Sequence, residues 1–195
     1  MARYLRRILK VIFVALFGVG GGTGLMTFIA LVIYSDQQTA VELGLQSALV
    51  IGLSFGTIIA TALVLTDLTM RLSVAGGSPK DELWELEQSR EVELSGSLRD
   101  IKRQCRAALL AVPNLKSVSE TSDDTGMIAS VGRSWRSPGE EVKVRIVQMP
   151  DGRYKLSCKS SCVQKQVGFD YAKNFENVET WLKHMVAFKA VSGPK

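Results

Sequence analysis

Thiols, imidazole and paired carboxylates are the groups through which this 195-residue chain could do chemistry, and it holds few of them. The thiols are Cys105, Cys158 and Cys162, and the single histidine is His184. Cys158-Lys-Ser-Ser-Cys162 puts three residues between two thiols, where redox pairs and zinc knuckles use two. One histidine also leaves a zinc shell short of ligands. No serine or cysteine has a base that spacing identifies as its partner. Asp123-Asp124 and Glu140-Glu141 adjoin turns and are expected to be solvated. Gly18-Val-Gly-Gly-Gly-Thr-Gly24 is rich enough in glycine for a phosphate loop but lacks the following lysine and lies in an apolar run. These patterns yield no catalytic residue, no metal ligand and no cofactor, so the expectation is a protein that is not an enzyme.

The elements that carry these residues divide sharply by charge. Val11 to Tyr34 is a run of 24 residues without a charge. As a helix it would be about 36 Å long at ~1.5 Å per residue, enough to cross ~30 Å of hydrocarbon. A signal peptide is the competing reading, since Arg3, Arg6, Arg7 and Lys10 form a basic leader. The run exceeds the ~7–15 residues of a signal core, and a second apolar run follows at once. That second run spans about 43–66, between Glu42 and Asp67, and is interrupted only by Gln46. The short connection, 35–42, implies an antiparallel hairpin. It carries Asp36 and no Lys or Arg, whereas basic residues flank both outer ends. The positive-inside rule then places both termini in the cytoplasm, in a multi-pass protein of a bacterial inner membrane. The three thiols would then be cytoplasmic and reduced.

Small residues recur four apart in both runs, as Gly18/Gly22, Gly20/Gly24 and Gly52/Gly56. In lipid such faces let backbones approach closely. They serve packing within the hairpin or assembly with another subunit. No ionisable residue lies inside either run, which argues against an ion path through a single hairpin.

After this N-terminal segment (1–71) comes a linker with a short helix (72–90), opened by Ser78 as N-cap and Pro79 at the first position. A domain over 91–190 follows. Val92 and Leu94 alternate with Glu91 and Glu93 as a strand, and Ser97 caps a helix through Val112, stopped by Pro113. That helix buries Ile101, Cys105 and Leu109 and turns Arg99, Lys102, Arg103 and Arg106 outward, a face that is either solvated or meets anionic lipid. Leu115–Ser119, Met127–Val131, Glu141–Met149 and Tyr154–Cys158 read as strands joined by turns. A last helix, with Asp170 and Asn174 as caps, carries the stripe Phe175, Val178, Trp181, Leu182 and Met185. The order β-α-β-β-β-β-α predicts an α+β fold, an antiparallel sheet covered by two helices.

Gly126-Met-Ile-Ala-Ser130, Trp135-x-Ser137-x-Gly139-Glu140-x-Val142-x-Val144, a strand ending in serines and Asp170-x-x-x-Asn174-x-x-Asn177 occur in that order. Over roughly 91–187 this order resembles bacterial families of unknown function with a small α+β domain. Those families often carry glycine where this chain has Ala172. The resemblance implies the fold and no catalytic residue, with Asp170 and Asn174 capping the last helix and Trp135 and Tyr171 filling the edge of the core.

Residues 72–195 have a net charge of +3, too small for the footprint of a nucleic-acid binder. The expected partners are membrane lipid and either other membrane subunits or a second copy of the chain. The expected role is a non-catalytic accessory subunit of a membrane assembly. The alternatives are a self-assembling scaffold or pore, and a membrane-anchored domain that binds lipid or a small ligand on its uncovered sheet face.

Overall fold

The structure, a computed structural model, describes residues 2–34, 37–75, 81–122, 125–164 and 168–192. It divides into two compact units, Met1–Thr69 and Met70–Lys195.

The first unit is helical. α1 (Ala2–Val14) passes through a π-helical segment, Ala15–Gly20, directly into α2 (Gly21–Tyr34). Thr23 Oγ1 donates to the carbonyls of Val19 and Gly20, both at 2.9 Å, filling acceptors where the helix is widened. α3 (Gln37–Val74) returns antiparallel to them within this unit, since Leu16, Gly20 and Gly24 meet Gly56, Gly52 and Ala48 in turn. Ala2–Tyr34 and Val41–Val74 are each long and apolar enough to cross a membrane. Both helices outrun the uncharged stretches that predicted them. At one end of the pair Tyr4 Oη donates to Asp67 Oδ2 at 3.0 Å, with both residues buried.

The second unit is the expected α+β fold. β1 (Gln88–Leu94), β2 (Leu115–Glu120), β3 (Gly126–Val131), β4 (Glu140–Gln148) and β5 (Tyr154–Cys162) form one antiparallel sheet in the order β1-β5-β4-β3-β2. α4 (Leu98–Leu110) and α5 (Lys173–Ser192) cover one face. Alternation along the strands sends Val92, Val142, Val144, Ile146 and Leu156 to the helices, with Trp181 and Met185 of α5 opposite them. Cys105 and Cys158 are fully buried in this core, as small hydrophobes. Ser97 caps α4 as predicted, its Oγ accepting from the Asp100 N–H at 3.2 Å.

Several boundaries differ from expectation. β5 continues past Cys158 to Cys162, because inward-facing Ser160 finds polar partners on α5. β1 starts at Gln88, whose amide is held by the carbonyls of Glu82 and Glu85. Ser78, expected as a cap, lies outside the described residues, and a single 3-10 turn, Asp81–Trp84, follows it. Leu83 of that turn is enclosed with Ala172 and Phe175, and Val74 and Ala75 pack against them, so part of the expected linker is core of the second unit.

Candidate functional site

Four of the small residues singled out in the apolar runs face one another. A Cβ on Gly20 would stand 2.5 Å from the Gly52 carbonyl oxygen, and one on Gly52 would stand 2.5 Å from that of Gly20. Gly24 meets the Ala48 oxygen at 2.7 Å and Gly56 meets Leu16 Cα at 2.9 Å on the same measure. Glycine is required here because the two backbones touch. Gly18 has only ordinary contact with Val14, and Gly21 and Gly22 meet nothing within 4 Å. The seam therefore uses Gly20, Gly24, Gly52 and Gly56, and leaves Gly18 and Gly22 outside it.

In the second unit the polar residues gather where β4 begins, β5 ends and α5 starts. Arg71 is fully buried. It donates to the Leu83 carbonyl and, through Nη2, to Asp170 Oδ1 at 2.7 Å. The other Asp170 oxygen accepts from the Asn174 N–H at 3.2 Å and from Asn174 Nδ2 at 2.9 Å. Ser160 Oγ donates to Asn174 Oδ1 at 2.7 Å and accepts from Asn177 Nδ2 at 3.2 Å. A buried ion pair is tolerable when further hydrogen bonds fill its remaining lone pairs and protons, and these do so for Asp170.

Two sequence expectations are corrected here. Asp170 caps α5, but Asn174 does not: it is the second helical residue, and its amide is spent on Asp170 and Ser160. Trp135 does not fill the core edge, being 68% exposed with its ring centroid 5.7 Å from that of Tyr171. Tyr171 and Ala172 have φ of 45° and 58°, a left-handed elbow at positions that favour glycine. Arg136 holds the elbow by donating to the Tyr171 carbonyl from Nε at 3.1 Å and Nη2 at 2.7 Å.

Glu140 is the largest surprise. Expected in solvent, it is fully enclosed. Ser137 and Asn177 lie beside its carboxyl, yet neither carboxyl oxygen nor Asn177 Oδ1 has a well-formed hydrogen bond. Burial pushes the carboxyl above its ordinary range, although Ser137, Lys173 and Asn177 pull it back. Cys162 borders this cluster, accepting from Asn174 Nδ2 at 3.3 Å. Burial and the nearby Asp170 raise its thiol, the reverse of what an activated nucleophile needs.

Arg71, Glu140, Ser160 and Asn177 were missed as site residues. Glu140 is in phase with Val142, Val144 and Ile146, and Ser160 with Leu156 and Cys158, so strand alternation alone could have found both. Asn174 and Asn177 precede Val178 and Trp181 by one helical turn, on the buried stripe.

The remaining expected surfaces are peripheral. Arg99, Arg103 and Arg106 are exposed on α4, Arg103 pairs with Asp100 at 2.9 Å, and Lys102 reaches Glu120 at 3.6 Å. On the uncovered face of the sheet a shallow groove of about 300 Å³ runs between Gly126, Ile128, Lys143, Arg145 and Lys159. Compared with known proteins, the chain matches no protein-family model and no characterised protein.

Proposed function

We propose that this is a two-span protein of a bacterial inner membrane, with both termini cytoplasmic, that serves as a non-catalytic accessory subunit of a membrane assembly. The observation that carries the reading is a groove of about 380 Å³ beside the glycine seam, walled by Phe17, Leu25, Leu45, Leu49 and Leu53 and floored by Gly21. Close approach of two helices leaves such a recess, and a third helix can fill it with favourable dispersion contacts. The second unit fits the same reading, because Arg71, Asp170, Asn174 and Ser160 are buried and bonded to one another. Mild extraction followed by native mass measurement tests this. A hetero-complex that dissociates in Gly21→Leu is the expected result, and a monomer in both proteins would sink the proposal.

A second reading, self-assembly into a scaffold, is favoured by Gly18 and Gly22, which lie outside the seam and are free to meet another copy. A multiple of the chain mass in the same measurement would select it.

A further inference from the structure

The end of the second unit that carries Asp170 also carries an exposed rim of aromatic and aliphatic side chains. Trp135 is 68% and Val163 66% exposed, and the Val163 N–H donates at 3.0 Å to Gly139 in the Trp135 loop. Tyr171 lies against Trp135, and its ring centroid is 6.1 Å from that of buried Phe169. The loop is held in place. Asn114 Nδ2 donates to the Gly132 and Arg133 carbonyls at 3.1 and 3.2 Å, and the Ser134 N–H to the Ser137 carbonyl at 2.8 Å. Exposed Arg133 and Lys116 flank it, with the Lys116 stem running beside Gly132. Trp135 is thus presented outward by an ordered loop.

We infer that this rim is a membrane-interface surface, with Trp135 and Tyr171 at the lipid headgroups and Arg133 and Lys116 toward the phosphates. Chain length is the argument. The second apolar run ends at Thr66, and Arg71, which holds Asp170 at 2.7 Å, comes five residues later. Five residues span about 7.5 Å as helix and at most about 18 Å extended. The headgroup layer of one leaflet is about 5–7 Å deep. Five residues and the Arg71 side chain therefore set a short upper limit on how far Asp170, and with it Tyr171, can lie from that layer. An amphipathic aromatic pair with basic neighbours is the composition that layer favours.

The inference rests on the two-span reading, and one experiment separates the two. The chain has three tryptophans, Trp84, Trp135 and Trp181, all outside the apolar helices. The full-length protein is reconstituted in phosphatidylglycerol/phosphatidylethanolamine vesicles containing phospholipid brominated on the acyl carbons nearest the headgroup. Bromolipid should quench tryptophan emission, and Trp135→Phe, an exposed and conservative change, should lose that quenching. Equal quenching in both proteins, or none in either, overturns the inference. So does shielding of Trp135 from acrylamide in native membranes but not in these vesicles, because a protein would then cover the rim. Extraction of the protein by alkaline carbonate would instead refute the two-span reading. Retention without a Trp135-dependent signal refutes only the rim.

Discussion

Glu140 and Glu141 are neighbours at the start of β4, and strand geometry gives them opposite fates. Glu140 sits opposite Val131 and Cys162 on the face the helices cover, whereas Glu141 points to the open face and meets Lys143 at 2.7 Å. A buried carboxyl whose oxygens lack well-formed hydrogen bonds is favoured in its neutral form, which agrees with the upward shift that burial imposes. The native state then holds this proton more tightly than the unfolded chain. Native and unfolded forms are both protonated below the ordinary value of 4.5, so no stability is lost there. Stability declines from that pH up to the raised value, as the unfolded carboxyl ionises first. Glu140→Gln keeps the shape and the neutral form without the titration. Its denaturation midpoint should therefore gain on the parent's steadily as pH rises from 4.5. A gap that does not change with pH would mean that Glu140 is ionised in the folded protein.

At the scale of elements, the glycine seam separates residues that spacing alone had grouped. Gly52 has the Gly20 carbonyl where its Cβ would go, so a larger side chain must push the helices apart. Such overpacking typically costs about 1–3 kcal/mol. Gly22 faces open space, and a side chain there meets only lipid or a partner. Gly52→Leu should therefore lower the thermal midpoint of the detergent-solubilised protein by several degrees, while Gly22→Leu leaves it within error. Equal loss in both variants would show that the seam is not where the helices meet. The elbow before α5 makes the complementary point. Its left-handed residues turn the chain so that Asp170, rather than Asn174, faces the helix N-terminus.

For the whole molecule, thiol chemistry reports both burial and topology. Cys105 and Cys158 have no exposed surface, and burial holds the Cys105 thiol up at about 11, with Cys158 raised as well. Cys162 is only partly covered. A membrane-impermeant maleimide should label the native protein slowly and at Cys162 alone, and Cys162→Ser should abolish the labelling. In the proposed topology this requires permeabilised cells. Labelling of intact cells would place the second unit on the other side of the membrane.

Sequence by itself determined the two apolar helices, the α+β class and the order of its elements. Those features follow from hydrophobic period and turn chemistry, which are local. Val142, Val144 and Ile146 announce β4, and Ser97 announces α4, without reference to any distant residue. Tertiary structure alone decided which polar residues meet. Arg71 and Asp170 are 99 positions apart, and a basic residue after an apolar run reads equally well as a flanking charge. Which glycines form the seam depended on the rotation of one helix against the other. The exposure of Trp135 depended on a loop held by Asn114 and Arg136, contacts that no periodicity encodes.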